Sequence, residues 1–189
     1  MVDADDGALG QVGISIAFGL VVMAMVVVLG HVSGAHINPA VTLGLALRRR
    51  FSWANVPGYW IAQAGGALVA ALALHVSLGD VASLGATTPS GSDAQSFAWE
   101  VAMTATLLLV ILGAASGSPG TAALAIGGTI GLASLVGGPI SGASLNPARS
   151  LGPAVVSGSL GSLWIYLTAP LVGGAIGALL YDGIRRRSP

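Results

Sequence analysis

The 189-residue chain contains no cysteine and very little charge. Only 7% of its residues are charged, and 7 Lys and Arg balance 7 Asp and Glu. Without cysteine the chain can form neither a disulfide framework nor a thiolate metal site. Its few basic residues are scattered or terminal, which argues against nucleic acid as a partner. Soluble domains carry about 25% charged residues, so the scarcity of charge predicts that this chain is surrounded by lipid.

The hydrophobic runs have the lengths that a bilayer requires. Hydrophobic residues make up 54% of the chain, and the mean hydropathy is +0.86. Five runs are each long enough to span a membrane, and they lie near 10–30, 53–76, 97–116, 119–137 and 161–182. Two shorter stretches, about 38–47 and 146–157, each begin at an Asn-Pro and reach only about halfway across. The pattern predicts an all-α membrane protein with five transmembrane helices and two re-entrant half-helices.

An internal repeat organises these segments. The phrase Ser33–Gly44 recurs as Ser141–Gly152, with eight of twelve positions identical at a spacing of 108 residues. The run at 97–116 has no partner, because its counterpart would fall mostly before Met1. We therefore expect a first repeat without its first helix, a connecting loop and a second repeat, over residues 1–78, 79–96 and 97–189.

The repeat predicts the topology. Repeats with three spanning helices each insert in opposite orientations, so the two half-helices enter from opposite faces and meet at their N-termini. Asn is a favoured N-cap and Pro is favoured at the first helical position, as in Asn38-Pro39 and Asn146-Pro147. The basic clusters Arg48–Arg50 and Arg185–Arg187 place the C-terminus in the cytoplasm of a multi-pass protein of the cell membrane.

Irregular backbone at the bilayer midplane is tolerated only where it lines a cavity or is buried in protein. The segments before the two half-helices are therefore expected to line a pore with their carbonyls, while the two Asn amides donate hydrogen bonds. The expected lining residues are Gly34, Ala35, His36, Ile37, Gly142, Ser144 and Leu145. Each helix N-terminus carries roughly half a positive charge, and Arg149 adds a full one. A cation would be repelled, whereas a neutral molecule exchanges its water contacts for these groups.

The remaining polar residues indicate no catalysis. His31 and His36 lie close together, but no carboxylate or thiolate accompanies them, which disfavours a metal site. The chain has no Ser-His-acid constellation, so we expect no enzyme activity, no catalytic residue and no cofactor. Tyr59 and Trp60 lie near a predicted span end, as in an interfacial aromatic belt.

These features resemble the aquaporin, or major intrinsic protein, family. The resemblance rests on two boxes, each preceded by Ser-Gly-Ala, and it covers nearly the whole chain. The boxes comprise Asn38, Pro39 and Ala40, and Asn146, Pro147 and Ala148. The resemblance implies an aquaporin-like inverted repeat, with six spanning helices in the family where this chain has five. It also implies a homotetramer in the lipid bilayer, with one pore in each subunit.

The resemblance assigns further roles. It places a four-residue selectivity filter at Phe18, Ser134, Ala143 and Arg149, and it identifies Glu100 with a buried glutamate that holds a re-entrant loop. Water-selective members typically have His where this chain has the smaller Ser134, and Ala143 widens the filter further. The Ser134 hydroxyl is expected to bond either a passing solute or its own helix. The implied function is a passive channel for water and small uncharged solutes such as glycerol.

Two other functions remain open from the residues. A non-conducting channel with a structural role is compatible with the absent first helix. A coupled secondary transporter also uses inverted repeats and broken helices. That class requires an ionisable group near the midplane, and only Arg149 and Glu100 are available, so it is the weaker alternative.

Overall fold

The computed structural model describes residues 7–115 and 117–185, and within these ranges the regular structure is entirely helical. The seven α-helices are α1 (Gly10–Ser33), α2 (Pro39–Leu47), α3 (Val56–Leu78), α4 (Asp93–Ala114), α5 (Pro119–Ser141), α6 (Pro147–Ser157) and α7 (Leu163–Arg185). Five of these segments are long and apolar enough to cross a membrane. The predicted fold class, with five spanning helices and the two half-helices α2 and α6, is confirmed.

The half-helices begin where the Asn-Pro pairs predict. The Asn38 side chain accepts a hydrogen bond from the Ala40 N–H at 2.8 Å. The Asn146 side chain accepts from the N–H groups of Ala148 at 3.0 Å and Arg149 at 3.3 Å. Each Asn thereby caps its helix. The following proline takes the first helical position, where the N–H that it lacks would have had no partner within the helix.

Several spanning helices are longer than the apolar runs that predicted them. Helices α1 and α5 continue to Gly34 and Gly142, which end them in the left-handed conformation with φ of 76° and 80°. Such a glycine is the commonest way to stop a helix. Helix α4 begins at Asp93, inside the predicted loop 79–96, because the Ser92 side chain accepts from the Gln95 N–H at 3.2 Å.

The half-helices are packed inside the bundle. Helix α2 contacts α7, α3 and α4, and helix α6 contacts α3 and α7. The first half-helix therefore packs mainly on the last spanning helix, and the second packs mainly on α3, which belongs to the predicted first repeat. This exchange explains why the two halves of the chain form a single bundle.

Helices α1 and α5 approach each other backbone to backbone. A Cβ atom added to Gly19 would lie 2.7 Å from the Gly127 carbonyl oxygen, and one added to Gly127 would lie 2.6 Å from the Gly19 oxygen. Gly127 follows Gly19 at the repeat spacing of 108 residues, so each glycine contacts its own counterpart. A reciprocal contact of this kind is what a two-fold axis between the repeats produces.

This packing predicts the effect of a single methyl group. We expect Gly127→Ala to lower the free energy of unfolding by about 2 kcal/mol, because overpacking a tight contact costs about 1–3 kcal/mol. The matched control is Gly128→Ala, since a Cβ there meets nothing within 4 Å. Thermal unfolding of both variants in detergent measures the difference, and equal destabilisation of the two variants would contradict the packing described above.

Candidate functional site

The two segments that lead into the half-helices share a strained backbone. Ala35 and Ile37 have φ of 48° and 45°, and their repeat counterparts Ala143 and Leu145 have φ of 43° and 54°. Non-glycine residues rarely adopt this left-handed region, at a cost of about 1–2 kcal/mol each. Such strain persists only where surrounding contacts over-determine the conformation, and it clusters at functional sites.

The capping asparagines supply the first of these contacts. The Asn38 amide Nδ2 donates to the Leu145 carbonyl at 2.8 Å. In return, the Asn146 Nδ2 donates to the Ile37 carbonyl at 2.9 Å. Both acceptors belong to residues with strained φ angles. Each amide has two N–H donors, so each asparagine joins the two repeats and keeps one donor for a further partner.

A buried carboxylate holds the second segment. Glu100 of α4 is 0% exposed. Its Oε1 accepts from the Ser144 N–H and the Ser141 hydroxyl, both at 2.8 Å, and its Oε2 accepts from the Leu145 N–H at 2.7 Å. Tyr166 of α7 donates from its hydroxyl to the Ser141 carbonyl at 2.7 Å. The sequence resemblance expects a glutamate in this role, and Glu100 makes the corresponding contacts.

Neutral side chains of α3 hold the first segment. Tyr59 donates to the Ser33 carbonyl at 3.0 Å, and Trp60 Nε1 donates to the Pro39 carbonyl at 3.2 Å. Ser33 is the repeat counterpart of Ser141, so a tyrosine binds the same carbonyl in each repeat. Tyr59 and Trp60 lie near the start of α3, where the sequence predicts a span end, and both also bind carbonyls of the half-helix region. The near-repeat spacing of Tyr59 and Tyr166 was a sequence signal for this role.

A cavity of about 650 Å³ lies beside the two segments. Its walls come mainly from α1, α3 and the start of α6, and they include Phe18, Ala35, His36, Ile37, Asn146 and Arg149. A smaller adjoining cavity of about 100 Å³ shares Phe18, His36 and Asn146, and it is also lined by Gly34, Asn38 and Ser144. Both box asparagines and most of the predicted lining residues thus border one or both of these cavities.

The Arg149 guanidinium stands opposite an aromatic ring at this cavity. Its Cζ lies 5.9 Å from the centroid of the Phe18 ring, and its Nη1 donates to the Gly85 carbonyl at 2.6 Å. Gly85 belongs to the turn Val81–Gly85 in the connecting loop. The same loop continues to Thr87, whose hydroxyl lies 2.7 Å from the Ser150 hydroxyl. The loop therefore positions Arg149, a role that the sequence did not indicate.

Two predicted filter residues are placed differently from Phe18 and Arg149. Among the described residues, neither Ser134 nor Ala143 lines the two cavities. The Ser134 hydroxyl lies 3.1 Å from the Ser15 hydroxyl on α1. Ala143 is 2% exposed and packs in the hydrophobic core with Met103. The sequence expected Ser134 to bond a solute or its own helix, and the bond to α1 is a third arrangement.

Some of the other predicted lining residues border the cavities and some do not. Gly142 and Leu145 line neither cavity within the described part of the chain. The His36 ring packs against Phe51 and Tyr59, with centroid distances of 4.7 and 5.1 Å, and its Nδ1 lies 3.2 Å from the Thr42 hydroxyl.

In residues 7–115 and 117–185, no group of three His, Asp or Glu side chains could hold a metal ion.

Half-helices that meet at their N-termini inside a bundle of spanning helices, next to a cavity, define a multi-pass membrane protein of the re-entrant type. The family model described as Major intrinsic protein matches residues 2–181. The chain belongs to this family, whose members are channels and not enzymes.

Individual relatives and a solved structure agree with this family assignment. The chain is 45% identical over 188 residues to Aquaporin NIP1-4 of Oryza sativa subsp. japonica. That alignment covers 97% of this chain and 69% of that protein. It is 44% identical over 177 residues to Nodulin-26 of Glycine max, with coverage of 92% and 65%. The chain thus spans about two thirds of the length of these relatives. An aquaglyceroporin structure from Plasmodium falciparum aligns with TM-score 0.85 and 26% identity over 93% of this chain and 83% of that one.

The carboxylate clamp predicts a stability effect. We expect Glu100→Gln to lower the free energy of unfolding by about 2 kcal/mol, because one of its oxygens becomes a donor that faces buried donors. Asp93→Asn is the matched control, since Asp93 is an exposed acidic residue in the first turn of the same helix. Thermal unfolding in detergent measures both. A Glu100→Gln variant as stable as Asp93→Asn would show that the clamp does not hold the segment.

Proposed function

We propose that the chain forms a passive transmembrane channel for water and small uncharged solutes such as glycerol, and that it excludes protons and ions. The proposal rests mainly on two reciprocal hydrogen bonds. Asn38 Nδ2 donates to the Leu145 carbonyl at 2.8 Å, and Asn146 Nδ2 donates to the Ile37 carbonyl at 2.9 Å. These bonds bring the two half-helix N-termini to one place beside the cavity.

The electrostatics of this place support neutral solutes. Each half-helix N-terminus contributes roughly half a positive charge, and the Arg149 guanidinium contributes one more. A cation in the cavity would lose hydration and meet positive potential from these groups. Pore width, hydrogen-bonding groups and positive barriers are the known determinants of selectivity in such channels.

The walls of the cavity support solutes that combine polar and apolar surfaces. Asn146 and Arg149 offer hydrogen-bond donors, whereas Phe18, Val22 and Met25 offer hydrocarbon. A molecule such as glycerol has hydroxyl groups on one side and a carbon chain on the other, so it fits both walls. Ser134 and Ala143 line neither cavity, so they add no bulk to these walls. The names of the relatives, aquaporin and aquaglyceroporin, are consistent with this solute class.

The proposed orientation rests on an ion pair. Arg48, at the end of α2, donates to the Asp182 carboxylate near the end of α7 at 2.6 Å, so both helix ends lie at one face of the bundle. We assign this face and the C-terminus to the cytoplasm. Arg186 and Arg187 lie outside the described residues.

The proposed assembly is a homotetramer in the cell membrane, with the repeats over 1–78 and 97–189 joined by the loop 79–96. The reciprocal contact of Gly19 with Gly127 supports two repeats related by a two-fold axis. The outer helix faces expose large apolar side chains, such as Val76 at 84% and Ile61 at 74%, which require lipid or another copy of the chain.

The function has a direct test. Proteoliposomes that contain the protein should shrink in a sucrose gradient faster than protein-free vesicles, and they should re-swell in a glycerol gradient, without measurable current. Stopped-flow light scattering and planar-bilayer recording make the two measurements. Folded protein without any permeability would favour the non-conducting alternative, and an ion flux comparable to the solute flux would favour a transporter.

The positive barrier has its own test. We expect Arg149→Val to raise proton or cation leak by at least about tenfold, which corresponds to about 1.4 kcal/mol of barrier. Arg149→Lys keeps the charge and should leak less than Arg149→Val. Arg49→Gln is the control, because Arg49 is exposed near the end of α2 and lies outside both cavities. A dye-based proton flux assay in vesicles measures all three, and equal leak in Arg149→Val and Arg49→Gln would refute the barrier.

A further inference from the structure

A polar cluster joins α1 to α5 next to the proposed filter. Ser15 of α1 and Ser134 of α5 are 3% and 6% exposed, and their hydroxyl oxygens are 3.1 Å apart. The Gln11 amide Nε2 donates to the Ser134 carbonyl at 2.6 Å and to the Ser15 hydroxyl at 3.3 Å. The single Ser15 hydroxyl proton is donated either to the Ser134 hydroxyl or to the Gln11 carbonyl, whose oxygen lies 2.7 Å away. We call Gln11, Ser15 and Ser134 the α1–α5 clasp.

Glycines make this approach possible. A Cβ atom at Gly138 would collide with the Gln11 amide, so the absence of a side chain there gives the amide its access to α5. A Cβ atom at Gly131 would lie 3.2 Å from the Ser15 carbonyl oxygen. The clasp therefore forms where glycines of α5 leave room for the backbone and side chains of α1.

The bond of Ser134 to a neighbouring helix is not the usual arrangement of a hydroxyl in a helix. Ser and Thr in helices commonly bond the carbonyl four residues earlier. Thr129 on the same helix does so, with its hydroxyl 2.8 Å from the Ala125 carbonyl. The Ser134 hydroxyl instead meets Ser15, one helical turn before Phe18. Its engagement with α1 keeps it from a solute in the channel unless that bond is broken.

We propose that Ser15, braced by Gln11, is a positioning residue of the solute filter. By holding the Ser134 hydroxyl against α1, it withdraws a hydrogen-bonding group from the path of the solute. Selectivity for polar solutes is then set by Arg149 and Phe18 and not by Ser134. This inference rests on the proposed channel function, and it adds to it a residue outside both cavities.

A double-mutant cycle on permeability tests the proposal. Ser15→Ala releases the Ser134 hydroxyl, which then becomes a partner for glycerol. We expect the glycerol-to-water permeability ratio to rise about threefold, within the range of one net hydrogen bond. In the Ser134→Ala background the same Ser15→Ala change should have no effect, because no hydroxyl remains to release. Gln11→Leu, which removes the brace, should raise the ratio in the parent and lose that effect in the same background.

Two results would overturn the proposal. One is a Ser15→Ala effect that persists in the Ser134→Ala background, which would mean that Ser15 acts through packing. The other is a ratio that Ser15→Ala leaves unchanged in the parent protein. Ser77→Ala is the matched control, since the Ser77 hydroxyl is exposed and bonds carbonyls of its own helix.

The clasp and the channel function fail in distinguishable ways. If the parent protein passes neither water nor glycerol, the proposed function is wrong. The hydrogen bonds of the clasp can then still be tested by thermal unfolding of the same variants. Hydrogen-bonded partners give non-additive losses, so Ser15→Ala should destabilise the parent more than it destabilises the Ser134→Ala variant. Additive losses would refute the bond itself.

Discussion

The side-chain amides of Asn38 and Asn146 each donate to the backbone carbonyl of the residue that precedes the other asparagine. The rest of the structure depends on this exchange, because it fixes two helix N-termini against each other in an apolar bundle. The capping oxygens of the same side chains start the half-helices. One residue type thus begins each half-helix, joins it to the other repeat and supports a backbone conformation that would otherwise be unfavourable.

The two repeats support the strained segments by different chemistry. In the second repeat the Glu100 carboxylate gathers three donors, two of them backbone N–H groups. In the first repeat Tyr59 and Trp60 donate to carbonyls, and no carboxylate within the described residues corresponds to Glu100 there. A buried charge is tolerated only where hydrogen bonds satisfy it. The tyrosine at the carbonyl of Ser33 or Ser141 is the contact that both repeats share.

The connecting loop has a larger part in the site than its composition indicates. It extends from α3 to α4, and its Gly85 carbonyl binds the Arg149 guanidinium. The charge of the proposed barrier is therefore held by a segment that belongs to neither half-helix. The contact between α1 and α5 holds a second predicted filter residue, because glycines on these helices bring Ser15 to Ser134. Two of the four predicted filter positions, Arg149 and Ser134, are thus held by contacts outside the two boxes.

The sequence by itself determined the helices, the two half-helix starts and the repeat. Apolar run length, the Asn-Pro caps and the 108-residue spacing are local or periodic signals that need no knowledge of neighbours in space. Only the tertiary structure decided which way the Ser134 hydroxyl points, what holds Arg149 and which carbonyls Tyr59 and Trp60 bind. These outcomes depend on side chains far apart in the chain, such as Ser15 with Ser134. A hydroxyl chooses among partners of similar energy, so its partner follows from packing and not from its own position in the sequence.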